Sequence, residues 1–395
     1  MSRLWVVLLL VVAVLWIGGV LFLTGCATTM SFRTVGLRVK KGKPFIIAHS
    51  EKAQGWGFLS HPFLNHVDGH VVVFYNLGGD TPTPSTPGEL LEKGPALLRL
   101  GATNWAYGSS GMGVMTQFCW SGLINRGDGA VTYVPFPQMN VNESFEFTSD
   151  LYVNSRHVGG PWGSAVEVKG AQGAVTLTTR GCVDSNGTLL VVGFVDFPTP
   201  GYKRSWGEAE YGTFLLASED GGRTWTYRST VARKKDAPWG VEGPCEPALV
   251  VLPNGELLCL MRTGSPMPTA GPTVSSSMLL ARSRDGGRTW AYDKMLIPGV
   301  MPKLLQMSNG VLVCAFGRPG NNLIFSLDGG HSWGHEVSLT RADLKTTGYC
   351  DFAEVATNRL LVVYDSFDTT LSNFWLWDPP KPINGVFGMY VDVIR

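Results

Sequence analysis

One eight-residue pattern occurs three times in this 395-residue chain. It sets Ser, Asp, two Gly and Trp at the same offsets in Ser218–Trp225, Ser283–Trp290 and Ser326–Trp333. A pattern that returns at intervals of tens of residues marks a repeated supersecondary unit. The residue types specify a tight loop joining antiparallel strands. Asp bonds its own backbone, Gly accepts positive φ, the Ser and Thr hydroxyls tie the loop, and Trp folds back as an apolar plug. The octet therefore constrains architecture rather than chemistry.

A second repeat accompanies the first. Apolar runs are interrupted by two-residue turns at Asp68-Gly69, Asp128-Gly129, Asn186-Gly187, Asn254-Gly255, Asn309-Gly310 and Asn358-Arg359, spaced 49 to 68 residues apart. Asn-Gly and Asp-Gly are strong hairpin signals because a type I′ turn needs φ > 0 at both central residues. Strands rich in β-branched and aromatic residues follow, such as His70–Tyr75, Thr188–Val192 and Leu360–Tyr364. With 49 Gly, 24 Pro and only 16% charged residues, the composition suits a turn-rich all-β body.

The octet resembles the Asp box of the sialidase (BNR-repeat) superfamily, a mark of β-propeller blades that lies on the outer rim, away from the active site. With that resemblance, six hairpins imply a six-bladed β-propeller over residues 27–395. A degenerate box, Leu98–Trp105, keeps only the Trp. The N-terminal hairpin Thr34–Ile47 is expected to pair with the last strand, Val386–Ile394, closing the ring and removing open sheet edges. Residues 106–175 are expected to form the second blade, with long loops shaping the substrate entrance.

Ahead of that body, Arg3 precedes an apolar run from Leu4 to Leu23. The run is long enough to span a bilayer and equally suits the core of a secretory signal. Its ending, Leu23-Thr24-Gly25-Cys26, resembles the bacterial lipobox, which implies cleavage and lipid attachment at Cys26; an uncleaved signal anchor is the alternative. Either way the body is expected in the cell envelope, tethered to a membrane and facing the periplasm or exterior. The net charge of +1, with no basic run beyond Arg233–Lys235, gives no footprint for nucleic acid. The other six cysteines are an even number, which permits disulfides in an exported protein. Cys259 and Cys314, however, sit in apolar strands where a free thiol acts as a small hydrophobe. No Cys-x-x-Cys pair is present, and no metal or other cofactor is implied.

Four residues carry the resemblance into chemistry. Glu246 opens a strand just before Pro247, Arg262 ends the next strand, Arg318 follows the strand 312–317, and Tyr349 precedes another. Their order and intervals are similar to those of sialidases. That likeness implies Tyr349 as nucleophile, Glu246 as its base, and Arg262 and Arg318 as a clamp for the substrate carboxylate. The residue types make physical sense. Guanidinium forks bind carboxylates bidentately and stay charged. A neutral Tyr also avoids the repulsion a carboxylate nucleophile would meet beside an acidic sugar, and sialidases are the Tyr-nucleophile exception among glycosidases.

The chain departs from the family at its first blade, where a Phe/Tyr-Arg-Ile-Pro motif supplies another Arg. Aligning Pro62 puts Ser60 in that place, with His61 beside it. Asp80, in a Gly-rich turn, is the candidate acid/base. His61 is a candidate polar contact or acid, and Arg180 a candidate to complete the clamp. Three readings follow: an exo-glycosidase of sialidase type acting on sialic acid or a related acidic sugar of a glycan; a non-catalytic propeller that binds glycan or protein; and a glycosidase for neutral sugars, which the Arg pair disfavours.

Overall fold

The computed structural model describes residues 36–50, 59–67, 70–77, 96–99, 106–107, 122–125, 130–134, 152–157, 166–169, 176–177, 180–196, 210–264, 276–342, 346–367 and 384–395. The apolar run at 4–23, Cys26, Asp80, Cys119 and most of 106–175 lie outside these residues. Among the described residues, helix is confined to one 3-10 turn, Lys234–Asp236, and no helix is long and apolar enough to cross a membrane.

Everything else regular is strand. After β1 (Arg38–Lys41) and β2 (Phe45–Ser50) comes an antiparallel sheet of β3 (Leu59–Val67), β4 (His70–Leu77), β5 (Ala96–Arg99) and β6 (Ala106–Tyr107). The next array contains β7 (Gly122–Asn125), β8 (Ala130–Val134), β9 (Tyr152–His157) and β10 (Val166–Lys169). It is followed by β11 (Thr176–Leu177), β12 (Cys182–Val183), β13 (Leu189–Asp196), β14 (Tyr211–Ser218) and β15 (Trp225–Ala232). These two arrays merge into one nine-stranded sheet because β10 pairs in parallel with β15, Val168 opposite Trp225. Two four-stranded antiparallel sheets follow. The first comprises β16 (Cys245–Val251), β17 (Leu257–Arg262), β18 (Ser277–Ser283) and β19 (Ala291–Pro298). The second comprises β20 (Val300–Gln306), β21 (Leu312–Gly317), β22 (Asn321–Ser326) and β23 (Gly334–Ser338). The last sheet holds β24 (Cys350–Ala356), β25 (Arg359–Phe367) and β26 (Asn384–Ile394), and both β1 and β2 pair with β26. Four-stranded antiparallel sheets of this kind fit a propeller. The expected pairing of the N-terminal hairpin with the final strand is present, Arg38 opposite Ile394 and Phe45 opposite Gly388.

Inner strands touch in a cycle: β3 with β7, β7 with β12, β12 and β13 with β16, β16 with β20, β20 with β24, and β24 again with β3. Apolar residues on both faces of the sheets fill the spaces between neighbours. Leu279 and Cys259 pack with Leu215 and Val192, Leu260 and Cys314 lie in the next interface, and Phe325 meets Phe352 and Val362 in the one after. Fully burying each such side chain contributes about 1.5–3 kcal/mol. Packing on both faces explains why these strands read as continuous apolar runs rather than alternating ones. Cys182, Cys245, Cys259, Cys314 and Cys350 are all free thiols, so the disulfides that the even count allowed do not form among the described cysteines. Their placement inside strands of the packed core accounts for it.

Asp68-Gly69 and Asp128-Gly129 lie outside the described residues; the other four hairpin turns are where expected, but their geometry differs. Gly187, Gly255 and Gly310 have φ of 81°, 83° and 83°, whereas the Asn before each does not have positive φ. The turn closes one residue further out, with Gly255 N–H donating to Leu252 O and Leu252 N–H to Glu256 O. This is a type I turn followed by a left-handed Gly, the three-residue hairpin, not a type I′ pair. The Asn side chain is used as an acceptor instead: Glu256 N–H donates to Asn254 Oδ1 at 3.1 Å and Val311 N–H to Asn309 Oδ1 at 3.0 Å. Asn358 itself adopts φ 63°.

The three octets form identical loops at this same end of the sheets. In each, the Asp Oδ1 accepts the Ser hydroxyl and two backbone N–H groups. In the middle copy these come from Ser283 at 2.8 Å, Arg288 at 3.0 Å and Thr289 at 2.9 Å. Ser283 Oγ accepts Gly287 N–H at 2.8 Å. Trp225 is buried as the expected plug, whereas Trp290 and Trp333 are half-buried.

Candidate active site

A bulge recurs in three of the inner strands and aims side chains at the opposite end from the octets. His61, Glu246 and Met301 each precede a Pro and adopt φ of 52°, 47° and 46°. The register of β3, β16 and β20 shifts at each of these positions. Pro lacks an N–H for the ladder and so belongs at a bulge. Left-handed backbone at a non-Gly residue costs roughly 1–2 kcal/mol. Buried carboxylates offset part of this by accepting the amides turned out of the ladder. Met301 N–H donates to Glu246 Oε2 at 2.9 Å, and His61 N–H to Asp365 Oδ2 at 2.8 Å.

Glu246 is the centre of the cluster. Its Oε1 accepts the Tyr349 hydroxyl in a short hydrogen bond and Arg262 Nη1 at 2.7 Å. Arg262 Nη2 lies 3.0 Å from Glu242 Oε2. Glu242, Glu246 and Tyr349 are all buried. Burial works against the Arg262 charge, yet Glu246 and Glu242 hold its pKa well above the usual guanidinium value. Burial pushes the Glu242 carboxyl up, outweighing the opposite pull of Arg262, and Glu246 adds to the rise.

Arg318 and His61 flank the Tyr349 ring. The Arg318 guanidinium carbon stands 5.6 Å from the ring centroid, and its Nε donates to Thr347 O at 2.9 Å. The approach depends on glycine: a Cβ on Gly317 would lie 1.7 Å from Gly348 O, so two backbones meet here that only Gly permits. His61 meets the Tyr349 ring edge-on, centroids 4.6 Å apart. The sequence-derived residues Glu246, Arg262, Arg318, Tyr349 and His61 are therefore brought together.

Arg180 is placed differently. Its Nη2 pairs with Asp351 Oδ1 at 3.0 Å, and Asp351 also accepts Leu64 N–H. Lys303 completes this second group, its Nζ 4.5 Å from the Phe63 centroid. Burial lowers the Lys303 pKa to about 8, against the upward pull of Asp351. Arg180 is thus held by an ion pair to Asp351, two residues past Tyr349. Sequence reasoning missed Glu242, Lys303 and Asp365. Two signals were available: Glu242 lies four residues before Glu246, and Lys303 follows Met301-Pro302 in an otherwise apolar strand. Asp80 lies outside the described residues. Among the described residues no group of His, Cys, Asp and Glu is disposed to hold a metal.

An open cleft of about 870 Å³ lies at the hairpin end, bordered by Asn186, Asn254, Arg228, Arg284 and Asp285. The remainder of strand β16 after Glu246, residues 247–251, separates the two, about 17 Å of extended chain. It belongs to the octet rim, not to the Tyr349 cluster.

The arrangement of repeated loops at one rim and a polar cluster at the other has relatives. The BNR repeat-like domain family matches residues 138–360, more than half of the chain. The chain belongs to that family. A search of curated proteins finds no match to this BNR repeat-like protein. Among solved structures, it is similar to a Dyadobacter fermentans protein of unknown function, at 17% identity and a TM-score of 0.62, covering 90% of this chain and 99% of that one. It is also similar to the Hadza microbial sialidase Hz136, at 14% identity and a TM-score of 0.54, covering 89% of this chain and 68% of that one. Trypanosoma rangeli sialidase gives 14% identity and a TM-score of 0.55, covering 90% of this chain but only 58% of the sialidase. At these identities the likeness establishes a sialidase-like fold.

Proposed function

We propose that this chain is a six-bladed propeller, tethered to a membrane by its N-terminal segment, that hydrolyses a terminal acidic sugar from a glycan. The cycle of inner-strand contacts supports the blade count, with the nine-stranded sheet taken as two blades joined through β10 and β15. The observation that carries the chemistry is the hydrogen bond from the Tyr349 hydroxyl to buried Glu246, 103 residues away in sequence. A pure binding surface has no need of a phenol aimed at a carboxylate. In the reaction, Glu246 takes the phenolic proton as Tyr349 oxygen attacks the anomeric carbon. The glycosidic bond breaks as an acid protonates the leaving oxygen, and water then releases the sugar from Tyr349. Arg318, with Arg262, would receive the substrate carboxylate. Asp80 remains the proposed acid.

The second reading, a glycan-binding propeller without turnover, is favoured by one feature. Arg262 is already held by two glutamates, and the position expected to supply another Arg is Ser60. Incubating the detergent-solubilised chain with an aryl α-sialoside and a panel of neutral aryl glycosides separates the readings. Phenol release from the sialoside by wild type and its loss in Tyr349→Phe is the expected result. Glycan binding without turnover of any substrate establishes the binder.

A further inference from the structure

Arg262 has a fork that an acidic sugar would need, and that fork is occupied. Glu246 takes Nη1, and Glu242 takes Nη2 at 3.0 Å through Oε2 and 3.3 Å through Oε1. The two glutamates are not equally anchored. Glu246 also accepts the Tyr349 hydroxyl and the Met301 amide. Among the described residues, the side chain of Glu242 is otherwise met by the Cys245 thiol alone, at 3.9 Å. When a carboxylate enters the fork, Glu242 is therefore the group that yields.

We propose that Glu242 is a built-in competitor of the substrate carboxylate, occupying its place on Arg262, and that an acidic sugar binds with uptake of one proton by Glu242. This rests on the acidic-sugar reading above and adds to it a positioning residue and a pH dependence.

Charge accounting leads to the proton. The titratable and charged groups facing Glu242 are Arg262 at the end of β17, Glu246 and Cys245 of β16, and Arg318 beyond β21, with Tyr349 behind Glu246 and Lys303 further along β20. On its own loop, Lys234 Nζ bonds the carbonyl of neighbouring Val241 at 3.1 Å. Around the fork, two carboxylates meet two guanidiniums, Arg262 and Arg318. A third carboxylate in this buried setting leaves a net negative charge, which is costly in low dielectric. Protonating the least anchored carboxylate removes it. Burial already favours the neutral form of Glu242, so it is the group closest to accepting a proton.

The test uses the acidic inhibitor DANA, found bound to Trypanosoma rangeli sialidase, and its neutral methyl ester, with the full chain in detergent. Wild type should bind DANA about tenfold more weakly per pH unit above the Glu242 pKa, because one proton is linked to one ligand. Glu242→Gln keeps the shape but not the charge. It should bind DANA at least about tenfold more tightly than wild type at pH 7, with a flat pH profile. The methyl ester should not distinguish the two proteins. Calorimetry of wild type in buffers of different ionisation enthalpy should show close to one proton taken up per DANA bound, and it needs no variant. DANA binding that is unchanged in Glu242→Gln, or that proceeds with no proton uptake, overturns the role of Glu242 and leaves the acidic-sugar reading standing. DANA bound by neither protein at any pH overturns that reading, and the proposal with it.

Discussion

Two sets of carboxylates sit at opposite ends of the same sheets. Those of the octet loops, Asp220, Asp285 and Asp328, bond groups no more than four residues away. The partners of Glu246 lie 16, 55 and 103 residues away. The electrostatic consequences are opposite. Burial is the largest single influence on Asp220 and raises its pKa, yet hydrogen bonds from Thr224, Ser218 and Arg223 together bring it down to about 2. At the other end, burial raises Glu242 despite its contact with Arg262. A loop that satisfies its own charge folds locally and repeats unchanged from sheet to sheet. A cluster assembled from four sheets exists only when those sheets have docked, and it holds charges that no local segment could stabilise.

The contrast predicts unequal costs when each end is damaged. The largest effect should follow Glu246→Ala, which leaves Arg262 half-paired in a buried setting and removes the acceptor for Met301 N–H. A loss of about 3–5 kcal/mol in the urea unfolding free energy is expected. A loss below about 1 kcal/mol would mean that the site tolerates charge as an exposed loop does. Gly287→Ala tests the loop end at its most constrained atom, where φ is +85° and an added Cβ would stand 2.2 Å from Leu215 Cδ2. Strain and overpacking together should cost about 2–4 kcal/mol by the same measurement, while the Tyr349 cluster is unaffected. Asp220→Asn should give the smallest effect and one that depends on pH. Its folded pKa lies below the unfolded value, so the stability it contributes is complete above about pH 4 and is lost as pH falls through about 2. The difference in thermal midpoint between wild type and Asp220→Asn should therefore narrow across that interval. A constant difference would assign the loop's stability to shape rather than to the ionised carboxylate.

The same contrast explains which features were legible in the chain. The octets, the hairpin sites and the closure of β26 by β1 and β2 follow from residue types acting on near neighbours or from apolar strands that must find an edge. The hairpins depart from type I′ because Asn254 and Asn309 spend their side chains as acceptors, leaving φ > 0 at those turns to the Gly that follows. Glu246, Arg262, Arg318 and Tyr349 were legible through their likeness to sialidases, in order and spacing. Glu242 and Lys303 were not. A Glu in a Gly-Pro segment and a Lys in an apolar strand take their meaning from Arg262, 20 residues on, and from Asp351, on another sheet.

The amino-acid order thus dictated the repeating unit, because turn chemistry, apolar runs and loop hydrogen bonds act over a handful of residues. The tertiary structure alone decided that Glu242 would share Arg262 with Glu246, that Arg180 would be engaged by Asp351, and that Gly317 and Gly348 would touch so that Arg318 lies over Tyr349. These contacts join chain segments 16 to 171 residues apart. Their geometry is set by the packing of whole sheets, which no local pattern encodes.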